Sequence, residues 1–465
     1  MLTYDLNDKN GKPCYIYLYE RIKNDIEKGL LKENFKLPSK RSLAERLKIS
    51  VLTVQNAYFL LQNEGYIYTK ERSGYFVSEI QRIETKINKK PADKAITKQE
   101  YFMDFCENST NTEHFPFTVW AKIFRKELTN NPDLLRRPPN VGVYKLRKAL
   151  SDYLYRSRGM AITPNQIVIG AGTEYLYSLI IKILGKDKVY ALEDPCYQKM
   201  AQIYFAENVK TKFIPLEVSG IDIEKLNLSE TDVVHVSPSH HFPTGIVMPA
   251  KRRYELLIWA NAKTDRYIIE DDYDSEFRYN GKVIPTLMSI DNNERVIFIN
   301  TFSKTISPGI RISYMVLPEH LMAKFNKLYG FYSCTVSSIE QYALATFVEE
   351  GYFERHINRM KKIYKQKRDI IINAINNSPL KDFCEILEEE AGLHFLLKLK
   401  TDISDTELIK LAEDRGLKIS CMSNHANDKL NVEKNLLIIN YSGIEVNNIS
   451  KAIEVILNIC KKNSR

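Results

Sequence analysis

Lys304 stands in the run Thr301-Phe302-Ser303-Lys304-Thr305, and Arg311 follows seven residues later. The preceding segment, Arg295 to Asn300, is apolar and reads as a buried strand of a parallel sheet. A lysine leaving such a strand borders a desolvated cleft, where the ammonium form is disfavoured and its pKa falls. An amine of that kind attacks an aldehyde and holds it as a Schiff base. The hydroxyls of Thr301 and Ser303, with the guanidinium of Arg311, suit a phosphate monoester dianion. An aldehyde and a phosphate together describe pyridoxal phosphate. One lysine among serines and threonines also reads as an ordinary loop residue, so the assignment rests on its surroundings.

Upstream, Tyr267-Ile-Ile-Glu270-Asp271-Asp272-Tyr273-Asp274 is a second apolar strand running into polar residues at its carboxyl end. Ligands of open α/β sheets bind at that edge. A carboxylate there can pair with a protonated pyridine nitrogen and keep the ring an electron sink. A tyrosine two residues on, Tyr273, can reach the phenolic oxygen or the Schiff base. The other readings of this acidic cluster are a solvated turn or a metal site, and the latter lacks a histidine nearby in sequence. A third strand, Ile167 to Gly170, meets a glycine turn and then a helix. Free N–H groups at such a helix start bind phosphate, which makes Gly172 and Thr173 the candidate cradle.

Phe-Pro-Thr-Gly at 242–245, then Asp271-x-Tyr273, then Ser303 and Lys304, then Arg311, resembles the fold-type I aminotransferases. That family stacks an aromatic ring on the pyridine, and Tyr197, after Glu193-Asp194-Pro195-Cys196, occupies its place. An asparagine of the family, which bonds the cofactor's phenolic oxygen, is replaced here by Phe242. His240 or His241 can substitute for it, although two adjacent histidines equally suit packing and capping. The family's arginine for a substrate carboxylate is also missing. Beyond residue 370 only Arg415 and Arg465 occur, the first at a helix end and the second at the terminus, and Leu437 to Asn440 offers none. Either the effector has no α-carboxylate in the usual place or another cation binds it, with Lys199 the first candidate.

The N-terminal hundred residues have a different character. They hold 19 Lys and Arg against 13 Asp and Glu, so most of the net charge of +9 lies there, which points to a polyanionic partner. Ile16, Leu18, Tyr19, Ile22 and Ile26 mark one helix face. Ser39 caps a second helix with Leu43, Ala44 and Leu47 inward. A third is expected from Thr53 to Glu64, with Val54, Ala57, Tyr58 and Leu61 inward. Tyr66 to Tyr68 and Tyr75 to Val77 read as two strands about a turn. Three helices and a hairpin form either a small packing module or a winged helix-turn-helix whose third helix enters the major groove.

Leu-Pro-Ser-x-Arg-x-Leu-Ala-x-x-Leu from 37, and Thr-Val-x-x-Ala-Tyr-x-x-Leu-x-x-Glu-Gly-Tyr from 53, closely resemble the GntR regulators. The resemblance implies that Lys40 and Arg41 contact double-stranded DNA at the start of their helix. It also implies that Ser50, Thr53 and Gln55 line the recognition helix, with Lys70 and Arg72 on the wing. Where that family carries an arginine after the turn serine, this chain has Val51. Phe115 to Trp120, Val141-Gly142 and Tyr153 to Gly159 extend the likeness to the MocR subfamily over nearly the whole chain. The expected architecture is α/β. A winged helix-turn-helix (1–80) and a linker (81–100) precede an aminotransferase-like domain (101–465) with a mostly parallel sheet and a small α+β part from about 370.

The implied function is a transcription regulator in which a small amine or amino acid displaces Lys304, forms an external aldimine with pyridoxal phosphate and alters promoter binding by a head-to-tail homodimer. The rival readings are a metabolic aminotransferase, which has no need of residues 13–78, and a DNA binder in which Lys304 is idle. At 465 residues and 44% apolar, the chain has ample material for large cores. There is no run of about twenty uncharged apolar residues, and Asp5, Asp8 and Lys9 precede any apolar stretch, so neither a membrane span nor a signal peptide is expected. Seven scattered cysteines suit a reducing cytoplasm.

Overall fold

The computed structural model describes residue 4 and residues 11–80, 100–106, 112–279 and 284–463. All of the expected linker but residue 100, and Arg465, lie outside the described residues. The chain divides into two compact units, Met1–Thr97 and Lys98–Arg465.

In the first unit, helices α1 (Cys14–Glu27), α2 (Lys40–Leu47) and α3 (Val51–Asn63) precede a hairpin of β1 (Ile67–Lys70) and β2 (Gly74–Val77). Leu18, Ile22 and Ile26 of α1 meet Leu43 and Ala44 of α2 and Val54, Ala57, Tyr58 and Leu61 of α3 in one core. The hydroxyl of Ser39 accepts the Ser42 N–H and caps α2. The Ser50 hydroxyl likewise accepts the Thr53 N–H at 3.1 Å, so α3 starts at Val51, two residues before the start expected from its apolar spacing. A side-chain cap supplies the partner that the first turn lacks, and periodicity alone does not show where that happens. The hairpin is antiparallel, pairing Ile67 with Val77 and Lys70 with Gly74.

The second unit is built on an eight-stranded sheet. Its strands are β4 (Ile167–Gly170), β5 (Val189–Asp194), β6 (Lys210–Glu217), β7 (Gly220–Ile221), β8 (Val233–Val236), β9 (Tyr267–Asp272), β10 (Val296–Thr301) and β11 (Ser313–Val316), preceded in the chain by the short β3 (Met103–Asp104). Across the sheet the order is β4-β11-β10-β9-β8-β5-β6-β7. Strands β10, β9, β8, β5 and β6 run parallel, while β11 lies antiparallel between β4 and β10. Every residue of β9 and β10 is buried, as expected of central strands covered on both faces. Helices α4 (Phe117–Asn130), α5 (Tyr144–Arg158), α6 (Thr173–Leu184) and α7 (Gln198–Ala206) come from the first half of the unit, and the helix Tyr352–Asn376 leads toward the chain end.

There β12 (Cys384–Leu387), β13 (His394–Leu399) and β15 (Leu436–Asn440) make a small antiparallel sheet, and β14 (Leu417–Lys418) pairs with β3. No helix among the described residues is long and apolar enough to cross a membrane.

Candidate functional site

Because β4, β5, β8, β9 and β10 all run the same way, their carboxyl ends open on one edge. That edge collects the Gly172 turn, Tyr197, the loop 237–245, Asp271 with Tyr273, and Lys304. Side chains alternate across a strand, so three consecutive carboxylates of β9 part company. Glu270 accepts the backbone N–H groups of Leu287 and Met288 at 2.8 and 3.0 Å. Asp272 pairs with the buried Arg158 at 2.9 Å. Asp271 alone turns to the other face. Tyr177 of α6 donates its hydroxyl to Oδ2 of Asp271. The Nε2 of His235 stands 3.6 Å from the same oxygen, and its Nδ1 is 2.9 Å from the Tyr204 hydroxyl. Oδ1 of Asp271 is buried and has no protein partner. Tyr177 and His235 escaped the sequence reading; the only available signal was that Tyr177 lies one helical turn past Thr173.

Lys304, half-buried, sits in a single helical turn, Phe302–Thr305, directly after β10. Thr301, expected among the phosphate ligands, is 6% exposed and caps this turn, accepting the Ser303 N–H at 3.1 Å and the Ser313 hydroxyl at 2.8 Å. Its oxygen therefore serves the turn that carries Lys304. Gly172 is the N-cap of α6 with φ +94°, and the guanidinium of Arg311 lies directly against it. Arg311 also pairs with Glu174 at 2.8 Å, and Lys199 pairs with the other oxygen of that carboxylate. Lys199 first, and Arg311 after it, hold the Glu174 carboxyl below its usual range against the opposing effect of burial. Lys199, the candidate for an effector carboxylate, is thus already engaged beside Thr173.

The two histidines separate cleanly. His240 Nδ1 lies 2.9 Å from Asp274 and 3.3 Å from the Tyr273 hydroxyl, and its ring covers Gly392, where a β-carbon would collide with it. Burial, then the charge of Asp274, pushes the Tyr273 phenol well above its usual pKa, so it stays a proton donor. His241 instead bonds Thr244 at 2.7 Å and approaches Glu193 at 3.4 Å. Burial, reinforced by His240, pushes it down to about 3, which keeps it a neutral closing group of the 241–246 loop. Phe242 offers no polar atom; its ring meets Tyr197 edge-on at 5.9 Å, and also His394 and His425. Tyr197 itself remains 44% exposed.

Asn440 stands where an arginine for a carboxylate was sought, and donates its amide to the Phe105 carbonyl at 2.8 Å. Arg415, in the turn just past the helix Asp405–Glu413, donates to the Leu411 carbonyl. A cleft of about 750 Å³, lined by Asp194, Thr244, Leu387, Met422 and others, adjoins the loop, but none of Lys304, Asp271, Tyr273 or Arg311 lines it. Among the described residues no group of His, Cys, Asp and Glu is placed to hold a metal ion. The residues fit pyridoxal phosphate on three counts: an unpartnered carboxylate oxygen for a ring N–H, a glycine cradle under an arginine for phosphate, and a lysine at the same sheet edge for the aldehyde.

Residues 100–456 match the family described as aminotransferase class I and II, and residues 15–77 match the gntR family of bacterial regulatory proteins. The chain is 37% identical to the uncharacterized HTH-type transcriptional regulator YdeL of Bacillus subtilis, over 90% of this chain and 91% of that one. It is 28% identical to the probable rhizopine catabolism regulatory protein MocR of Rhizobium meliloti, over 88% and 87%. Among solved structures an archaeal alanine:glyoxylate aminotransferase superposes with a TM-score of 0.69 at 23% identity, over 78% of this chain and 91% of that one. At that identity the likeness shows the fold.

Proposed function

The chain belongs to the MocR group of GntR-type regulators, a DNA-binding head fused to an aminotransferase class I and II region, and on that premise we propose how this member senses its effector. Pyridoxal phosphate supplies an aldehyde for amines and a ring nitrogen that draws electrons when protonated. The amine of Lys304 would hold the aldehyde carbon, and a small amine or amino acid would compete with it for that carbon. Oδ1 of Asp271 accepts the ring N–H, and Tyr177 keeps that carboxylate oriented through Oδ2. Arg311, Gly172, Thr173 and Ser303 hold the phosphate. Tyr273, supported by His240 and Asp274, would donate to the phenolic oxygen, and Tyr197 would stack on the ring.

The observation that carries this reading is the unpartnered oxygen of Asp271 at the sheet edge that also presents Lys304. An effector carboxylate, where there is one, finds its cation in Lys199, which must then leave Glu174. The effector shifts the protein between two states only by its different affinity for each. We place the protein in the cytoplasm as a head-to-tail homodimer on two half-sites of a promoter.

The test joins two readouts on the full-length protein: absorbance near the visible edge, and affinity for the DNA upstream of its own gene, across a panel of amines. An amine that changes the spectrum is expected to change DNA affinity as well. Spectral change with every amine but constant DNA affinity would sink the sensing role.

A further inference from the structure

The recognition helix carries no charge. From Val51 to Asn63 α3 reads VLTVQNAYFLLQN. Val54, Ala57, Tyr58 and Leu61 are spent on the core, so from Val51 to Phe59 α3 presents outward Val51, Leu52, Gln55, Asn56 and Phe59, all exposed, with the uncharged Gln62 and Asn63 exposed at its end. Leu52 is 64% exposed and Val51 43%, and they are the first two residues after the Ser50 cap. The N-terminal residues of a recognition helix are those that reach base edges. The cations of the head stand on other elements, among them Arg41 on α2, Lys48 just past it, and Lys70 and Arg72 on the hairpin, all four exposed. That arrangement puts phosphate neutralisation around α3 and leaves base readout to uncharged groups.

The commonest specific contact in the major groove, arginine or lysine on guanine O6 and N7, is therefore beyond the reach of α3's own residues. Carboxamides pair with adenine N6 and N7, and apolar groups pack on the thymine C5-methyl. Leu52 shares a helix face with Gln55 and Asn56, three and four residues on. One face thus offers an apolar contact beside an amide, the two halves of an A·T pair seen from the major groove. We propose that α3 reads A·T base pairs, with Val51 and Leu52 against thymine methyl groups and Gln55 and Asn56 on adenine edges. This rests on the reading of the head as a binder of double-stranded DNA.

Duplexes with a randomised core are selected on the full-length protein, and the selected duplex is remade with uracil for thymine. A·T pairs are expected at the positions α3 reads. Loss of each contacted methyl should weaken binding roughly three- to fourfold, the value of one buried methyl. The double variant Val51→Ala/Leu52→Ala should bind the thymine and uracil duplexes alike, within a factor of about two, and each single variant should retain part of the difference. Both side chains are exposed, so neither change threatens the fold. Arg41→Ala should weaken both duplexes equally. Guanine-centred selected sites, or a parent protein indifferent to uracil, overturn the proposal and leave DNA binding standing; failure to enrich any duplex overturns both.

Discussion

The guanidinium of Arg311 occupies the space that a side chain at Gly172 would need: a β-carbon built there stands 2.9 Å from its Cζ. Gly172 also has φ +94°, a conformation open to glycine at little cost. Two independent constraints, close approach and backbone conformation, therefore demand glycine at the head of α6. Its effect is to bring a fixed positive charge onto a helix N-terminus, where anions are already favoured.

Gly172→Ala should displace Arg311 and weaken pyridoxal phosphate binding by about tenfold or more, while costing about 1–3 kcal/mol of stability from backbone strain. Cofactor titration by absorbance and thermal melting of the apoprotein would measure the two effects separately. Unchanged cofactor affinity would remove Gly172 and Arg311 from the phosphate site.

Lys304→Ala should abolish the borohydride-reducible adduct and leave the fold intact, because Lys304 is half-buried in a short turn whose cap is made by Thr301. Mass spectrometry of the reduced protein reads this directly. An adduct that persists on another lysine would show the assignment to be wrong.

Glu193 is buried, and burial pushes its carboxyl up to about 8 from 4.5, opposed by the Ser237 N–H. The folded state thus holds a proton that the unfolded state releases above pH 4.5. Stability is fully present below that pH and declines as pH rises toward 8, at roughly 1 kcal/mol per unit. His241, pushed down to about 3 from 6.5, works at the other end. Its stability is present above pH 6.5 and lost as pH falls toward 3. Glu193→Gln should therefore lose less melting temperature than the parent between pH 5 and 8. Parallel curves for the two proteins would contradict the buried neutral acid.

Binding to promoter DNA should weaken steeply with salt, because phosphate neutralisation supplies most of the non-specific affinity. Lys70→Ala and Arg72→Ala should each lower the slope of log affinity against log salt by about 1 and weaken all sequences alike. A slope that does not change would take the hairpin off the DNA backbone.

The carboxylate arginine missing from the sequence leads to a kinetic prediction. Asn440 is tied to Phe105 and Lys199 to Glu174, so no free guanidinium fork is offered from β15. Common α-amino acids with 2-oxoglutarate should turn over poorly, roughly a hundredfold or more below an ordinary aminotransferase. Steady-state assays across α- and ω-amino acids decide it, and efficient multiple turnover of an α-amino acid would refute it.

Local order in the chain was enough to place Lys304 after one buried strand and Asp271 at the end of another, because consecutive apolar residues and period-two alternation are properties of adjacent positions. The same holds for the three helices of the head, whose inward residues follow from a spacing of three and four. What local order could not carry was anything depending on residues distant in sequence. How Glu270, Asp271 and Asp272 are engaged depended on Arg158 for Asp272, Tyr177 for Asp271 and the amides of Leu287 and Met288 for Glu270. Which of two adjacent histidines faces Tyr273 depended on Asp274 and Gly392 for one, and Thr244 and Glu193 for the other. Thr301 and Ser50 acquired capping roles from backbone N–H groups that only a formed helix leaves without partners. The sequence by itself determined the two kinds of unit and offered Lys304 as the amine for cofactor chemistry. Tertiary packing decided which polar atoms remain open to do that chemistry, because a buried polar group is committed by whatever the fold brings against it.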